Sequence, residues 1–266
     1  MNLVTLTTDF GTRDYFVGAM KGAVLSVNPL AQIVDITHES PPHNTKAAAF
    51  TLFAAHSTFP KETVHVCVVD PGVGSNRRAI VAVTDNYYFV APDNGVLSLI
   101  YENDLSVQVF AVTNEQFFRH PVSRTFHGRD VFAPVAGALS RGVLPAELGE
   151  AVTDFVRFEI VVPHQIDENT VQAEIIHVDH FGNCLTNLKR ENLPAHFDEN
   201  QLTLTINNRK ISKMQNYFAE AAEGELFLIW GSAGLLEIVA FQNSAARLLG
   251  ITVGEMVCAN AKARTE

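Results

Sequence analysis

Nowhere in these 266 residues does an apolar run approach the roughly 18–20 residues that would carry a helix across a bilayer, so no such span is expected. Basic residues are few, 19 against 29 acidic ones, and they never cluster; the formal net charge is −10. Gripping a phosphate backbone depends on grouped cations, so nucleic acid is not an expected partner. Cysteine is scarce as well: Cys67, Cys184 and Cys258 form an odd, widely spaced set with neither CxxC nor metal-ligand spacing. They read as small apolar core residues and as the reduced thiols of a cytoplasmic protein. His38, His43 and His56 are too dispersed for a metal site, and no HExxH occurs, so no metal or other cofactor is expected. The opening Met1–Asp9 has no basic region and no cleavage pattern and reads directly as a strand, so a secretory signal is not expected. No internal repeat, low-complexity tract, GxGxxG or GK[ST] is found.

What is present fits a soluble globular chain: 47% hydrophobic residues against 18% charged, long enough for one large domain or two modest ones. The first half alternates strand and helix patterns. Leu3–Thr8 is an apolar strand, and Tyr15–Val27 has helical spacing with Asp14 placed to cap it and Pro29 beyond. Gln32–Ile36 reads as a strand and Thr45–His56 as an Ala-rich helix. Strands follow at Thr63–Val69, Ala79–Thr84, Tyr87–Val90 and Val107–Val112, with helices at Gly95–Tyr101 and Asp130–Ser140. This alternation predicts an α/β domain with a mostly parallel sheet covered on both faces, over residues 1–155.

The pattern changes after Ala151. Phe155–Val162, Val171–Val178, Leu202–Ile206, Glu225–Trp230, Leu236–Phe241 and Glu255–Ala259 are short β-rich segments, and Ser244–Leu249 is one or two helical turns. They predict a separate, mainly antiparallel barrel or sandwich over residues 165–266, with the polar Pro163–Asn169 as linker.

Asp9 and Asp70 fall at the carboxyl ends of predicted strands, where ligands of open α/β sheets collect. An acid at the position of Asp9 either accepts hydrogen bonds from the two hydroxyls of a ribose or organises its own turn. The segment from Asp70 to Arg78, with glycines at 72 and 74, reads as a tight turn returning Arg77 towards Asp70. The paired acid then stays ionised and fixed, either as a structural ion pair or as a group that holds a water. His127, in Thr125-Phe126-His127-Gly128-Arg129-Asp130, is a loop histidine suited to moving protons, or a structural one, and Asp130 reads as a helix N-cap. Asp179-His180-Phe181-Gly182-Asn183 ends a strand: Asn183 can read an adenine edge, Phe181 can stack on a base and Asp179 can bind an ammonium, or the segment is a plain turn. Trp230-Gly231-Ser232-Ala233-Gly234 offers amides and a hydroxyl to a carboxylate, or is an ordinary hairpin turn.

Taken in order, TTDFGTRDYFVGAMKG, VVDPGVGSNRR, APDNG, TFHGRD, DHFGNCLTN and WGSAGLLEI run from Thr7 to Ile238. Together they resemble the S-adenosyl-L-methionine (SAM) hydroxide adenosyltransferases, or SAM hydrolases, relatives of the SAM-dependent fluorinase and chlorinase. The resemblance implies an N-terminal α/β domain carrying the ribose and water-activating residues and a C-terminal β-barrel carrying the adenine and methionine contacts. It also implies a homotrimer with SAM at subunit interfaces, and adenosine and methionine as products. Asp70, Arg77 and His127 match the family's water-positioning set, Asp9 the ribose-binding carboxylate and Phe126 the ribose pocket. Asn183 matches an adenine contact, Phe181 the pocket wall, and Asp179 and Ser232 the methionine end. Two positions depart from the halogenases: Ala233 stands where they have an arginine, and His43 near a tryptophan of theirs.

The implied chemistry is coherent. A sulfonium leaves as a neutral thioether, so the reaction requires a positioned oxygen nucleophile and a proton acceptor but no acid at sulfur. Three other readings compete. A halogenase is opposed by His127, which stands where the halogenases have a tyrosine, and by the short hairpin from Arg78 to Ala91 in place of their extra loop. A SAM or adenosine sensor without turnover is opposed by the complete Asp70–Arg77–His127 set. A methyltransferase requires a methyl-acceptor site and a glycine-rich SAM loop, and neither is found.

Overall fold

Threonines, leucines and valines without a charged residue make β1 (Leu3–Thr8) a strand that can be covered on both faces. In the structure, a computed structural model describing residues 2–195, 197–198 and 201–260, β1 is nearly all buried. The chain divides into two units, Met1–Glu159 and Ile160–Glu266.

In the first unit α1 (Phe16–Val27) links β1 to β2 (Gln32–Thr37), and α2 (Thr45–His56) links β2 to β3 (Val64–Val68). Such helical crossovers make β2, β1 and β3 parallel neighbours. β4 (Ala79–Val83) and β5 (Tyr88–Pro92) form a hairpin, with β5 parallel to β3. After α3 (Ser98–Asn103), β6 (Gln108–Ala111) pairs antiparallel with β4. α4 (Ala133–Ser140) and α5 (Pro145–Leu148) precede β7 (Ala151–Val152), which pairs antiparallel with β6. The sheet order is β2-β1-β3-β5-β4-β6-β7. The sheet is therefore mixed rather than mostly parallel, because the short β4–β5 connection leaves no room for a crossover and forces a hairpin. One core, with Leu6, Val66, Met20 and Phe132, covers one face; another, with Cys67, Ile80, Phe89 and Leu97, covers the other.

Three local expectations are corrected. Asp14 does not cap α1: Tyr15 occupies the N-cap position, and no side chain caps that end. Asp130 is not an N-cap either, since a π turn over Gly128–Phe132 runs directly into α4. Phe155–Val162 forms no strand, because side chains take up its amides: Val156 N–H donates to Asp93 Oδ1 (2.8 Å) and Phe158 N–H to Ser98 Oγ (3.0 Å).

In the second unit the expected linker carries β8 (His164–Asp167), paired with β9 (Thr170–Val178). β10 (Cys184–Lys189), β11 (Thr203–Ile206), β12 (Arg209–Ile211), β13 (Leu226–Trp230), β14 (Leu235–Ala240), α6 (Ala245–Leu249) and β15 (Met256–Asn260) follow. The order is β12-β11-β15-β9-β10-β14-β13, antiparallel throughout. Just after β12 the chain meets β13: Gln215 N–H donates to Leu228 O and Leu228 N–H to Lys213 O. This nearly closes the sheet into a barrel around Ile175, Leu204, Leu228, Leu236 and Ile238. Phe227, Ile229 and Val239 pack in a separate cluster with Ala221, on the other side of β13 and β14.

Candidate active site

Because β1 and β3 are in parallel register, with Thr8 beside Val68, Asp9 and Asp70 emerge near one another beyond the same edge of the sheet. From Asp70 the chain passes over the end of β5 and descends as β4, so a short loop must turn back at once. It does so through Val73 N–H to Asp70 O and Ser75 N–H to Gly72 O. Gly74 has φ +79°, and a Cβ there would lie 2.3 Å from the Arg124 carbonyl oxygen, so only glycine fits. Asn94 of the APDNG segment donates to Val69 O (2.9 Å), clamping the residue before Asp70.

The turn delivers Arg77 to Asp70. Arg77 Nε lies 3.0 Å from both carboxylate oxygens, and Nη2 donates to Oδ2. The same Nη2 lies 2.9 Å from His127 Nδ1. A guanidinium only donates, so Nδ1 must accept, leaving His127 neutral with its proton on Nε2. Burial and then the Arg77 charge hold the His127 pKa below its ordinary value, against a smaller opposite pull from Asp70 and Asp130. The Arg77 guanidinium also lies over the Phe132 ring, 5.1 Å from its centroid, and a cavity of about 360 Å³ opens beside Arg77 and His127.

Asp130 holds the π turn that carries His127. Fully buried, its carboxylate accepts from Arg129 Nε (2.7 Å) and Nη2 (2.8 Å), Arg119 Nη1 (3.1 Å) and Ser123 N–H (2.9 Å). These hydrogen bonds outweigh the desolvation of the acid and hold its pKa below the ordinary value. Phe126 is buried in an aromatic cluster with Phe10 and Phe16, and the Arg129 guanidinium lies 5.0 Å from its ring centroid. Asp9 Oδ2 accepts from the backbone N–H of His43 (2.9 Å), so His43 meets Asp9 through its main chain.

In the second unit Asp179 locks its own turn. Oδ1 accepts from Phe181 N–H (2.9 Å) and Asn183 N–H (2.8 Å), and Oδ2 from Asn183 Nδ2 (2.8 Å). Asn183 is thereby buried and oriented, while Phe181 remains 74% exposed. Both line a cavity of about 570 Å³ with Phe218, Phe241 and Arg247, which were not among the residues expected from the sequence. Ser232 lies exposed on the Trp230–Leu235 turn. Glu237 also escaped the sequence reading. A single acid inside the otherwise apolar, fully buried run Leu235–Ala240 is the signal that would have found it. Burial and the Asp179 charge push its pKa up to about 7.

An α/β unit with an acid–arginine–histidine row near its parallel strand ends, followed by a nearly closed antiparallel barrel, defines a two-domain class of protein. The chain belongs to the SAM hydroxide adenosyltransferase family: the family's N-terminal domain matches residues 4–149 and its C-terminal domain residues 173–258. It is 37% identical to a Methanocaldococcus jannaschii protein named (R)-S-adenosyl-L-methionine hydrolase, over 94% of this chain and 93% of that one. A fluorinase from an Actinoplanes species is 26% identical, over 72% of this chain and 73% of its own. Among solved structures, an uncharacterised conserved protein of Thermotoga maritima superposes with a TM-score of 0.89 at 33% identity, covering 97% of this chain and 99% of that one.

Proposed function

We propose that this protein hydrolyses SAM to adenosine and L-methionine. Water attacks the ribose 5′-carbon; the C5′–S bond breaks with its electron pair going to sulfur, and one proton is released. The observation that carries the reading is the continuous row from Asp70 through Arg77 to His127. Full-length likeness to a named SAM hydrolase, against a partial and weaker likeness to a fluorinase, supports water rather than halide as nucleophile.

Asp70, fixed by Arg77, holds the water in line and takes its proton as the C–O bond forms, when the oxygen has become acidic. His127, with its proton on Nε2, is a donor that orients the water for attack. Positioning and proton transfer of this kind are worth roughly 10²–10⁴-fold in rate. Asp9 accepts from the ribose hydroxyls, and Phe126 backs the ribose pocket. Asn183 reads the adenine edge beside Phe181, and Asp179 and Ser232 stand at the methionine end. The protein works as a cytoplasmic homotrimer with SAM at subunit interfaces. The free thiols of Cys67, Cys184 and Cys258 support a reducing setting. Among the described residues no helix is long and apolar enough to cross a membrane.

The test is chromatography of the pure protein incubated with SAM in ¹⁸O-water, without added halide. Adenosine labelled at the 5′-oxygen is the expected product. Unlabelled adenosine, or none, would overturn the proposal.

A further inference from the structure

The chain that leaves β2 holds the three peptide planes from Thr8 to Gly11, on either side of Asp9. Ser40 N–H donates to Thr8 O (3.3 Å) and fixes the plane before Asp9; Gly11 N–H donates to His38 O (2.7 Å) and fixes the plane after Phe10. The plane between them is set by a side chain, since Phe10 N–H donates to Thr8 Oγ1 (3.2 Å). His43 N–H donates to Asp9 Oδ2, and among the described residues Oδ1 accepts no hydrogen bond. Both the backbone and the carboxylate of Asp9 are therefore held, with one oxygen left for a ligand.

Thr8 Oγ1 is in turn held by His38, whose Nδ1 lies 2.9 Å away. The hydroxyl oxygen already receives the Phe10 amide, so its own proton goes to Nδ1, which puts the ring proton of His38 on Nε2. Nε2 lies 3.1 Å from Asp35 Oδ1, and Lys21 Nζ donates to Asp35 Oδ2. Against the desolvation of burial, the contacts with Lys21 and His38 hold Asp35 below the ordinary carboxylate pKa. Acid, imidazole and hydroxyl in a row can activate a nucleophile. Here Thr8 is fully buried and its oxygen is taken by an amide, so no substrate reaches it. The row ends on the Asp9–Phe10 peptide instead. Thr8 continues the buried face of Val4 and Leu6, where a polar group is costly unless it is bonded and, once bonded, admits one arrangement. Apolar residues at 8 and 38 would fill the same space but leave the Phe10 amide unpaired and the Asp9 torsion unset.

We infer that Thr8 and His38, with Asp35 behind them, are positioning residues that aim the remaining oxygen of Asp9 at the ribose hydroxyls and so set the preference for a substrate that bears them. The inference rests on the assignment of Asp9 to the ribose in a SAM hydrolase. It gives the buried Thr8 and His38 a task that the chemistry at Asp70 does not use.

The experiment assays Thr8→Val, Thr8→Ser and His38→Leu on SAM and on its 2′,3′-dideoxy analogue, with thermal melting of the same preparations. Valine keeps the branched shape and removes the hydroxyl; serine keeps the hydroxyl. On SAM, Thr8→Val and His38→Leu should lose about 10-fold in kcat/KM, the scale of one hydrogen bond. The loss should lie in KM, because the ribose is held alike in ground and transition states. Thr8→Ser should keep the wild-type KM. On the dideoxy analogue all three should match wild type, since no hydroxyl remains to be misplaced, and in an Asp9→Ala background Thr8→Val should add nothing. A role in folding alone would lower the melting temperature and reduce turnover of both substrates equally. Should a core variant not fold, Asp35→Asn, at an exposed position, carries the same test with a loss of about 3-fold on SAM alone. Equal losses on both substrates, or a wild-type KM for SAM in the folded variants, would overturn the inference and leave Asp9 and SAM hydrolysis standing. Wild type that turns over SAM and the dideoxy analogue equally well would remove Asp9 from the ribose, and the inference with it. Absence of SAM turnover by wild type would remove all three.

Discussion

A carboxylate that receives a guanidinium on both oxygens cannot rotate freely, so Asp70 presents one remaining lone-pair direction to a ligand. Asp70→Asn keeps the shape but removes the proton acceptor, so kcat should fall by about 10²–10⁴-fold with SAM affinity little changed. His127→Ala should behave alike, and the double variant should be scarcely worse than either single one if the two act as a unit. Asp9→Ala should mainly weaken SAM binding. Calorimetry and single-turnover rates on the same preparations check all three; folded Asp70→Asn with near-wild-type turnover would remove Asp70 from catalysis. The pH profile follows from His127. Its folded pKa lies below the ordinary 6.5, so the neutral form persists below that value, and kcat should decline only at more acidic pH. The unfolded chain takes up this proton first as pH falls, so the same group lowers stability on the acid side. Glu237 has the opposite sign. Its folded pKa of about 7 lies above the ordinary 4.5, so its stability contribution is lost as pH rises between them. Glu237→Gln should therefore melt higher than wild type at pH 8 and equally at pH 4; an unchanged difference across that range would show that Glu237 is not held protonated.

At the level of elements, the π turn Gly128–Phe132 and the Asp70–Arg77 loop place their side chains only because other segments clamp them. Asp130 ties Arg119 and Ser123 to the turn that bears His127. Removing one member of a fully buried pair costs about 3–5 kcal/mol. Here Arg119 is half exposed and can rehydrate, so Asp130→Ala should cost nearer 2 kcal/mol in urea denaturation. A midpoint equal to that of wild type would show that the clamp is dispensable. In the loop, Gly74→Ala meets the Arg124 carbonyl and should move Arg77, lowering kcat more than it lowers melting temperature.

For the whole molecule, the proposed assembly has a direct measurement. Light scattering should give a mass three times the 29.2 kDa of the chain, and dilution or mild denaturant that dissociates it should abolish SAM binding. A monomer that binds SAM at full affinity would refute the shared site.

The sequence by itself determined the elements whose pattern is local. Apolar runs ended by an acid specified β1 and β3, and Thr45–His56 begins and ends where its helical spacing does, with Asn44 accepting from Ala47 N–H. The turn that returns Arg77 to Asp70 was also legible, because two glycines and two opposite charges lie within a few residues. What depends on distant partners was not. The antiparallel half of the first sheet, the strand hidden in the expected linker and the missing strand at Phe155–Val162 are set by pairing and by side chains such as Asp93 and Ser98. Asp130 changed from an expected cap to a buried clamp because Arg119, eleven residues earlier, folds back on it. Only the tertiary structure could single out Glu237. Its isolation arises from Gly231, Leu185 and Asp179 on other segments, and burial and field are sums over neighbours that a linear pattern does not contain.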